Sequence, residues 1–296
     1  MPVIDVEEWL AANRDMFEPP ICNKLMHTDQ LNVMFVGGPN TRKDFHVELG
    51  DEFFFMVRGD MSLPIRDKYG LRTVHIREGE VFLLPARIPH SPQRPQQQSR
   101  GLVIERQRRP GEKDCLRWYN EEGAIYEEWF QLDDLEKLKF IVQDFFQSPQ
   151  CAENRASSDP NAKGRVLPPA EAPFVDNREI SVPEPFALAD FVKQQRDLSL
   201  PVEVFPDHPA QQTEVWVCTS GDFIAVPAQT WVWQLAGTSQ VTQNDETITL
   251  RAGGSLMVPE NQSFRVSADA SDTSDVDKFG HACVTLVVRM VPSPLP

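Results

Sequence analysis

The chain has 296 residues, 41% of them hydrophobic, which is enough to bury a core and to fill one large or two ordinary domains. Its formal net charge of -15 argues against nucleic acid or an anionic membrane surface as a main partner. Five cysteines, an odd count without a C-x-x-C pair, argue against a disulfide framework or a thiolate zinc site and favour a reducing compartment.

In chain order, the first ten residues carry Asp5, Glu7 and Glu8 and no apolar run, so they do not read as a signal peptide. No window reaches the apolar length of a membrane span, and a soluble, cytosolic chain is expected. Residues 5–17 read as a helix, because Asp5 and Glu8 fit a capping box and Pro19-Pro20 stops it. A strand at 32–36 ends at the turn cluster Gly37-Gly38-Pro39-Asn40, and the strand-rich stretch 45–57 breaks at Gly59-Asp60. Two strands follow at 71–76 and 81–84 around Glu78-Gly79, then a proline-rich segment at 85–95 and a strand at 102–106. Short, closely spaced strands with Gly and Pro punctuation point to a sandwich or barrel.

Residues 132–146 break the pattern: Leu135, Leu138, Val142 and Phe145 recur at helical spacing, with Asp133 and Glu136 available to cap. Residues 147–178, with Pro160, Pro168-Pro169 and Pro173 and no sustained periodicity, read as a linker. A second helix is expected over 185–198. Strands are expected at 214–217, 230–235, 247–250, 255–258 and 283–290, with an acidic, serine-rich loop at 269–277. The second half repeats the spacing of the first: Gly253 and Pro259 match Gly79 and Pro85, and Gly237 matches Gly59. In that register Ile224, Thr230 and Phe264 stand where His46, Glu52 and His90 stand, as after a duplication that left one copy without ligands.

The chemistry concentrates between Arg42 and Arg94. His46, Glu52 and His90 lie on or beside strand-like runs, and two imidazoles plus one carboxylate with open positions form the ligand set typical of non-haem Fe(II) oxygenases. Arg42 and Arg94 each lie four residues from one of these histidines. The forked guanidinium of Arg94 suits a carboxylate, against the plainer alternative of a surface ion pair. Glu105 ends the run Leu102-Val103-Ile104; an inward charge there needs a partner, while an outward one is only a solvated strand end. Glu48 is either a fourth ligand or a supporting or solvated group, Asn23 and Arg106 are weaker supporting candidates, and His27, His75, His208 and His281 fit no motif.

His46, with Glu48 two residues on, Glu52 six on, and then Gly59, resembles the first cupin motif; Gly79, Pro85, Arg87 and His90 resemble the second. Three departures single out one branch: Glu48 where a second histidine is usual, Arg87 where glycine is usual, and Arg94 where asparagine is common. With the stretches 20–27, 37–44, 82–87 and 89–94, they make the chain similar to the 3-hydroxyanthranilate 3,4-dioxygenase family in its animal, two-barrel form, specifically over about the first third and more loosely beyond. The extra C-x-x-C metal motifs of bacterial members are absent.

The resemblance implies an all-β fold with a few helices, built as two cupin (double-stranded β-helix, jelly-roll) barrels in one chain. The expected division is a catalytic domain at 1–155, a proline-rich linker at 156–178, and a degenerate second barrel without metal ligands at 179–296. It implies Fe(2+) held by His46, Glu52 and His90, substrate contacts from Glu52, Arg94 and Glu105, and catalytic roles for Arg42 and Glu105, with Arg42 on the O2 side. The implied substrate is a small aromatic compound derived from an amino acid, opened to 2-amino-3-carboxymuconate semialdehyde on the kynurenine route to quinolinate and NAD. A monomer is expected, with the second barrel covering the face that a partner subunit covers in single-barrel relatives. The residues leave two other readings open: a cupin metalloenzyme of different chemistry, such as an isomerase or small-acid dioxygenase, and a non-catalytic two-barrel protein.

Overall fold

The computed structural model describes residues 1–19, 22–131, 137–159, 161–210, 212–269, 272 and 276–291. Pro20, Leu135, the Asp133 and Glu136 caps and most of the acidic stretch 269–277 lie outside them. The fold is mostly β, as expected, and two six-stranded sheets dominate it. One runs in the order Phe186–Ala187, Glu80–Leu84, Glu52–Arg58, Arg100–Arg106, Leu31–Gly37, Asn23–His27. The other runs Ile4–Asp5, Gly254–Val258, Thr230–Ala236, Val284–Met290, Thr213–Cys218, Val202–Glu203. The two orders are the same, strand for strand, which is what a duplication leaves behind.

The outermost strand of each sheet comes from the other half of the chain. Ile4–Asp5 pairs with Gly254–Val258, and Phe186–Ala187 pairs with Glu80–Leu84. Each of these two-residue strands leads directly into a seven-residue helix, Val6–Ala12 or Leu188–Gln194. Asp5 caps the first of these through the Glu8 N–H at 2.9 Å, as the sequence predicts. That helix stops at Ala12, followed by a 3₁₀ turn at Arg14–Phe17, and the second is shorter than its apolar spacing predicts because Phe186 and Ala187 are spent on the sheet.

Strand alternation explains the run Phe53-Phe54-Phe55-Met56. Phe53 and Phe55 join Phe35, Leu102, Ile104, Trp231 and Trp233 in a core shared by both halves, with the Phe55 and Trp233 rings 5.9 Å apart. Phe54 and Met56 turn the other way, into the first barrel, with Val103, Phe82 and Leu84. A strand buried on both faces reads as continuous hydrophobic sequence. The matched glycines share a conformation: φ is +69° at Gly59 and +66° at Gly237, +82° at Gly79 and +89° at Gly253, the left-handed region that a side chain strains to enter.

Strands Met61–Asp67, Asp114–Asn120 and Gly123–Phe130 close the first barrel and were not among the expected elements. The stretch 147–178 contains a short helix, Pro149–Glu153, capped by Ser148, and then runs along the first barrel. Phe174 packs on Trp129, Asp176 pairs with Arg117 at 2.7 Å, and the Asn177 N–H donates to the Arg87 carbonyl. Among the described residues, no helix is long and apolar enough to cross a membrane.

Candidate metal centre

Sheet register brings the predicted site residues together. Glu52 opens its strand directly opposite Glu105 on one side and Leu84 on the other, and Glu105 in turn lies opposite Asn32. Cross-strand partners share a face, so Asn32, Glu105 and Glu52 form one polar row at the end of an otherwise apolar barrel interior. Segments 40–46 and 90–94 run antiparallel, with bridges at His46–His90 and Asn40–Arg94. Gly38 permits this close approach: a Cβ there would lie 2.7 Å from the Arg94 carbonyl oxygen. Arg87 has φ +65°, a left-handed backbone at the position where the usual motif carries glycine.

His46, Glu52 and His90 each present one ligand atom, and these lie within 4.8 Å of one another. His90 Nε2 is 2.9 Å from Glu52 Oε1, and the two rings stand 5.4 Å apart at 77°. The His90 Nδ1–H faces the Ile88 carbonyl at 3.0 Å, which leaves Nε2 as the lone pair. His46 Nε2 lies 2.9 Å from Asp114 Oδ2, the kind of carboxylate contact that orients a metal-binding imidazole and leaves the other ring nitrogen free. Glu52 Oε1 is buried without an aligned hydrogen bond of its own. A buried carboxylate oxygen facing two imidazoles is a donor set that fits a divalent first-row ion. Burial alone would raise the Glu52 carboxyl, but His90 and then His46 hold it down to about 2; for His90, Glu52 outweighs burial and raises the imidazole.

Arg94 is buried, its Nε donating to the Gly37 carbonyl at 2.8 Å and its Nη1 resting 3.6 Å from the Met61 sulfur. Among the described residues no carboxylate pairs with it. Burial, with Arg42 adding to it, draws this guanidinium down to about 10. Arg42 is half exposed and held by Asp44 at 3.0 Å. Glu48 is not solvated: it is buried, and burial pushes its carboxyl well up while Arg108 opposes the shift. Asn23 is exposed on the sheet's outer strand, and Arg106 turns away from the barrel interior to pair with Glu112 at 2.6 Å.

Sequence reasoning passed over Arg108. Its guanidinium is buried among three carboxylates, 2.5 Å from Glu48, 2.7 Å from Glu105 and 2.9 Å from Asp114. Burial alone would raise Asp114, yet Arg108 and then His46 hold its carboxyl well below the usual carboxylate range. One cation thus steadies both the carboxylate behind His46 and the one opposite Glu52. Arg108→Ala would leave buried carboxylates without their cation and is expected to lower unfolding stability by about 3–5 kcal/mol. Arg108→Lys, with charge but no fork, should fall between. Chemical denaturation of the three chains would test this, and an alanine variant as stable as the parent would contradict it.

The chain has clear relatives. A family model described as 3-hydroxyanthranilic acid dioxygenase matches residues 1–146. A 3-hydroxyanthranilate 3,4-dioxygenase from Xenopus laevis is 43% identical over 269 residues, covering 88% of this chain and 92% of the relative. One from Rattus norvegicus is 41% identical, covering 88% and 90%. Among solved structures, a cupin 2 conserved barrel domain protein from Leptotrichia buccalis aligns over 98% of this chain and 96% of its own at 11% identity, with a TM-score of 0.48. With two-fifths identity held along nearly the whole length of these relatives, the chain belongs to the 3-hydroxyanthranilate 3,4-dioxygenase family.

Proposed function

We propose that this chain opens the ring of 3-hydroxyanthranilate with dioxygen, using Fe(II) held by His46, Glu52 and His90, and yields 2-amino-3-carboxymuconate semialdehyde on the kynurenine route to quinolinate and NAD. The observation that carries this reading is the conjunction of the His46–Glu52–His90 group with Arg94, a buried guanidinium without an acid partner among the described residues. When bound, Fe(II) supplies the electron transfer that allows dioxygen to react with an electron-rich aromatic ring. The chain's own residues do the rest.

Arg94 takes the substrate carboxylate in two parallel hydrogen bonds and so fixes the ring's orientation. Glu105, opposite Glu52 and braced by Arg108, receives the proton that the amine or hydroxyl gives up on binding. Glu52 serves the substrate as well as the metal through its position in the same polar row. Arg42 contributes its charge on the dioxygen side, from the more open edge of the site. An oxygen-electrode trace with 3-hydroxyanthranilate, taken before and after Fe(II) is added, tests this reading directly. An isomerase or a non-catalytic barrel would consume no oxygen.

The second barrel, by the same proposal, binds no metal. Thr230 heads its strand as Glu52 heads its own, but Ile224 is exposed, and Phe223 turns inward to stack on Phe264 at 4.8 Å, filling the interior with rings. Metal analysis is expected to return about one iron per chain, as a single three-ligand site implies. A second equivalent that persisted after loss of His46 would overturn this. The shared core behind Phe53 and Phe55 supports a monomer, checked by the mass in solution, and five free cysteines support a cytosolic location.

A further inference from the structure

The half of the chain without ligands reaches into the loop that carries Glu52. Asp51, immediately before Glu52, is a buried carboxylate that accepts from three donors: the Ala86 N–H at 2.9 Å, the Gln212 N–H at 2.8 Å and the Thr213 hydroxyl at 3.2 Å. Gln212 returns the contact. Its Nε2 donates to the Leu49 carbonyl at 3.0 Å, and its Oε1 accepts from Arg106 Nε at 2.6 Å. Gln212 immediately precedes a strand of the second half that Thr213 opens, while Leu49, Asp51 and Ala86 belong to the two segments that bear Glu52 and His90.

A counterpart lies at the matching place in the other copy. Gln229, immediately before Thr230, accepts from the Leu31 N–H at 3.1 Å, and its own N–H donates to Gln30 Oε1 at 2.6 Å. Gln30 precedes the strand Leu31–Gly37 as Gln212 precedes Thr213–Cys218. The Gln107 N–H donates to the Gln30 carbonyl, and the Val291 N–H donates to the Gln212 carbonyl. Each half therefore latches the other at the same point, the residue before the strand at the barrel mouth. Only in one of the two does that strand open with a glutamate.

We infer that the Asp51–Gln212 latch is a positioning device for the metal centre, through which the second half sets the place of Glu52 and the His90 segment. Rotation of one strand residue fixes its neighbour, because adjacent side chains point to opposite faces. Pinning Asp51 toward the second half aims Glu52 into the first barrel. Ala86, bound to the other Asp51 oxygen, ties the segment leading to His90 into the same fixture. The second half thus keeps a part in the chemistry after losing its own donors. This inference rests on the metal reading above.

The test is anaerobic Fe(II) titration against a competing chelator, run beside thermal unfolding of the metal-free chain, for wild type, Gln212→Ala, Asp51→Asn and Gln229→Ala. Gln212→Ala and Asp51→Asn should weaken Fe(II) binding about 10- to 100-fold, the range seen when groups behind metal ligands are removed. Gln229→Ala breaks the matching latch around the ligand-free barrel, so it should lower the unfolding temperature yet leave Fe(II) affinity unchanged. Equal weakening by Gln229→Ala would reduce the effect to general loosening and overturn the inference, as would wild-type affinity in both latch variants. If Asp51→Asn does not fold, Gln212→Ala decides alone, since it keeps the buried carboxylate and its Ala86 contact. A wild-type chain that bound no Fe(II) would instead bring down the metal reading, and the latch with it.

Discussion

Alanine at His46, Glu52 or His90 is expected to remove most bound Fe(II) and essentially all ring opening. A three-ligand site has no spare protein donor, so each loss leaves two ligands where three are needed. The geometry sharpens the expectation for each residue. His90 and Glu52 are buried against each other at 2.9 Å, so losing either leaves the other facing a cavity with no partner of its kind. His46 is the most exposed of the three proposed ligands and is steadied from behind by Asp114, which stays paired to Arg108 if the imidazole goes. His46→Ala should therefore fold best of the three. The barrel interior beneath them, built from Phe54, Met56, Phe82, Leu84 and Val103, does not depend on the metal, and circular dichroism should stay close to wild type. Iron content measured on the purified variants separates ligand loss from loss of reactivity alone. A variant that kept full iron and turnover would remove that residue from the ligand set.

The sequence and the fold disagree in an instructive way about which residues matter. The grouping of His46, Glu52 and His90 was legible because their spacing is local and punctuated by Gly59, Gly79 and Pro85, whose turns the structure retains. Arg108 and Asp114 were not. Arg108 matters because strand pairing sets Glu105 beside Glu52, and Asp114 because its strand lies against the one carrying His46; neither register is written in residue spacing. Asn32 could have been noticed as a lone polar residue within the apolar stretch 31–37, but only its place beside Glu105 gives it meaning. The strands Asp114–Asn120 and Gly123–Phe130 hid behind their charges, since Arg117 and Glu127 are buried as a 2.9 Å pair that hydropathy reads as surface. Met61–Asp67 hid behind Pro64, a residue that argues against a strand, yet it sits in a two-stranded sheet and its carbonyl is taken by the Ser91 N–H. The exchanged strands are two residues long, too short for any periodicity to register.

Arg94→Ala is expected to cost the enzyme its preference for a carboxylated substrate while leaving the iron in place. The guanidinium is buried, without a carboxylate among the described residues, and drawn down to about 10 by that burial, so it carries a standing desolvation cost that an anion would offset. Its Nε is committed to the Gly37 carbonyl, which fixes the orientation of the fork before any ligand arrives. Removing one member of such a buried charged pair costs on the order of 2–5 kcal/mol, or roughly thirty-fold to several thousand-fold in kcat/KM. Arg94→Lys keeps the charge but cannot make two parallel hydrogen bonds or hold Gly37 in the same way, so it should fall between wild type and alanine. The decisive comparison uses 2-aminophenol, which retains the neighbouring hydroxyl and amine but lacks the acid. Wild type should strongly favour 3-hydroxyanthranilate, and Arg94→Ala should lose most of that preference because both compounds then meet the same uncharged wall. Iron content near wild type would separate this from damage to the metal centre, since Arg94 is not among the three grouped donors. If the alanine variant kept the wild-type ratio of kcat/KM for the two compounds, the carboxylate would be anchored elsewhere. Arg42, the half-exposed cation held by Asp44, would then be the next residue to replace.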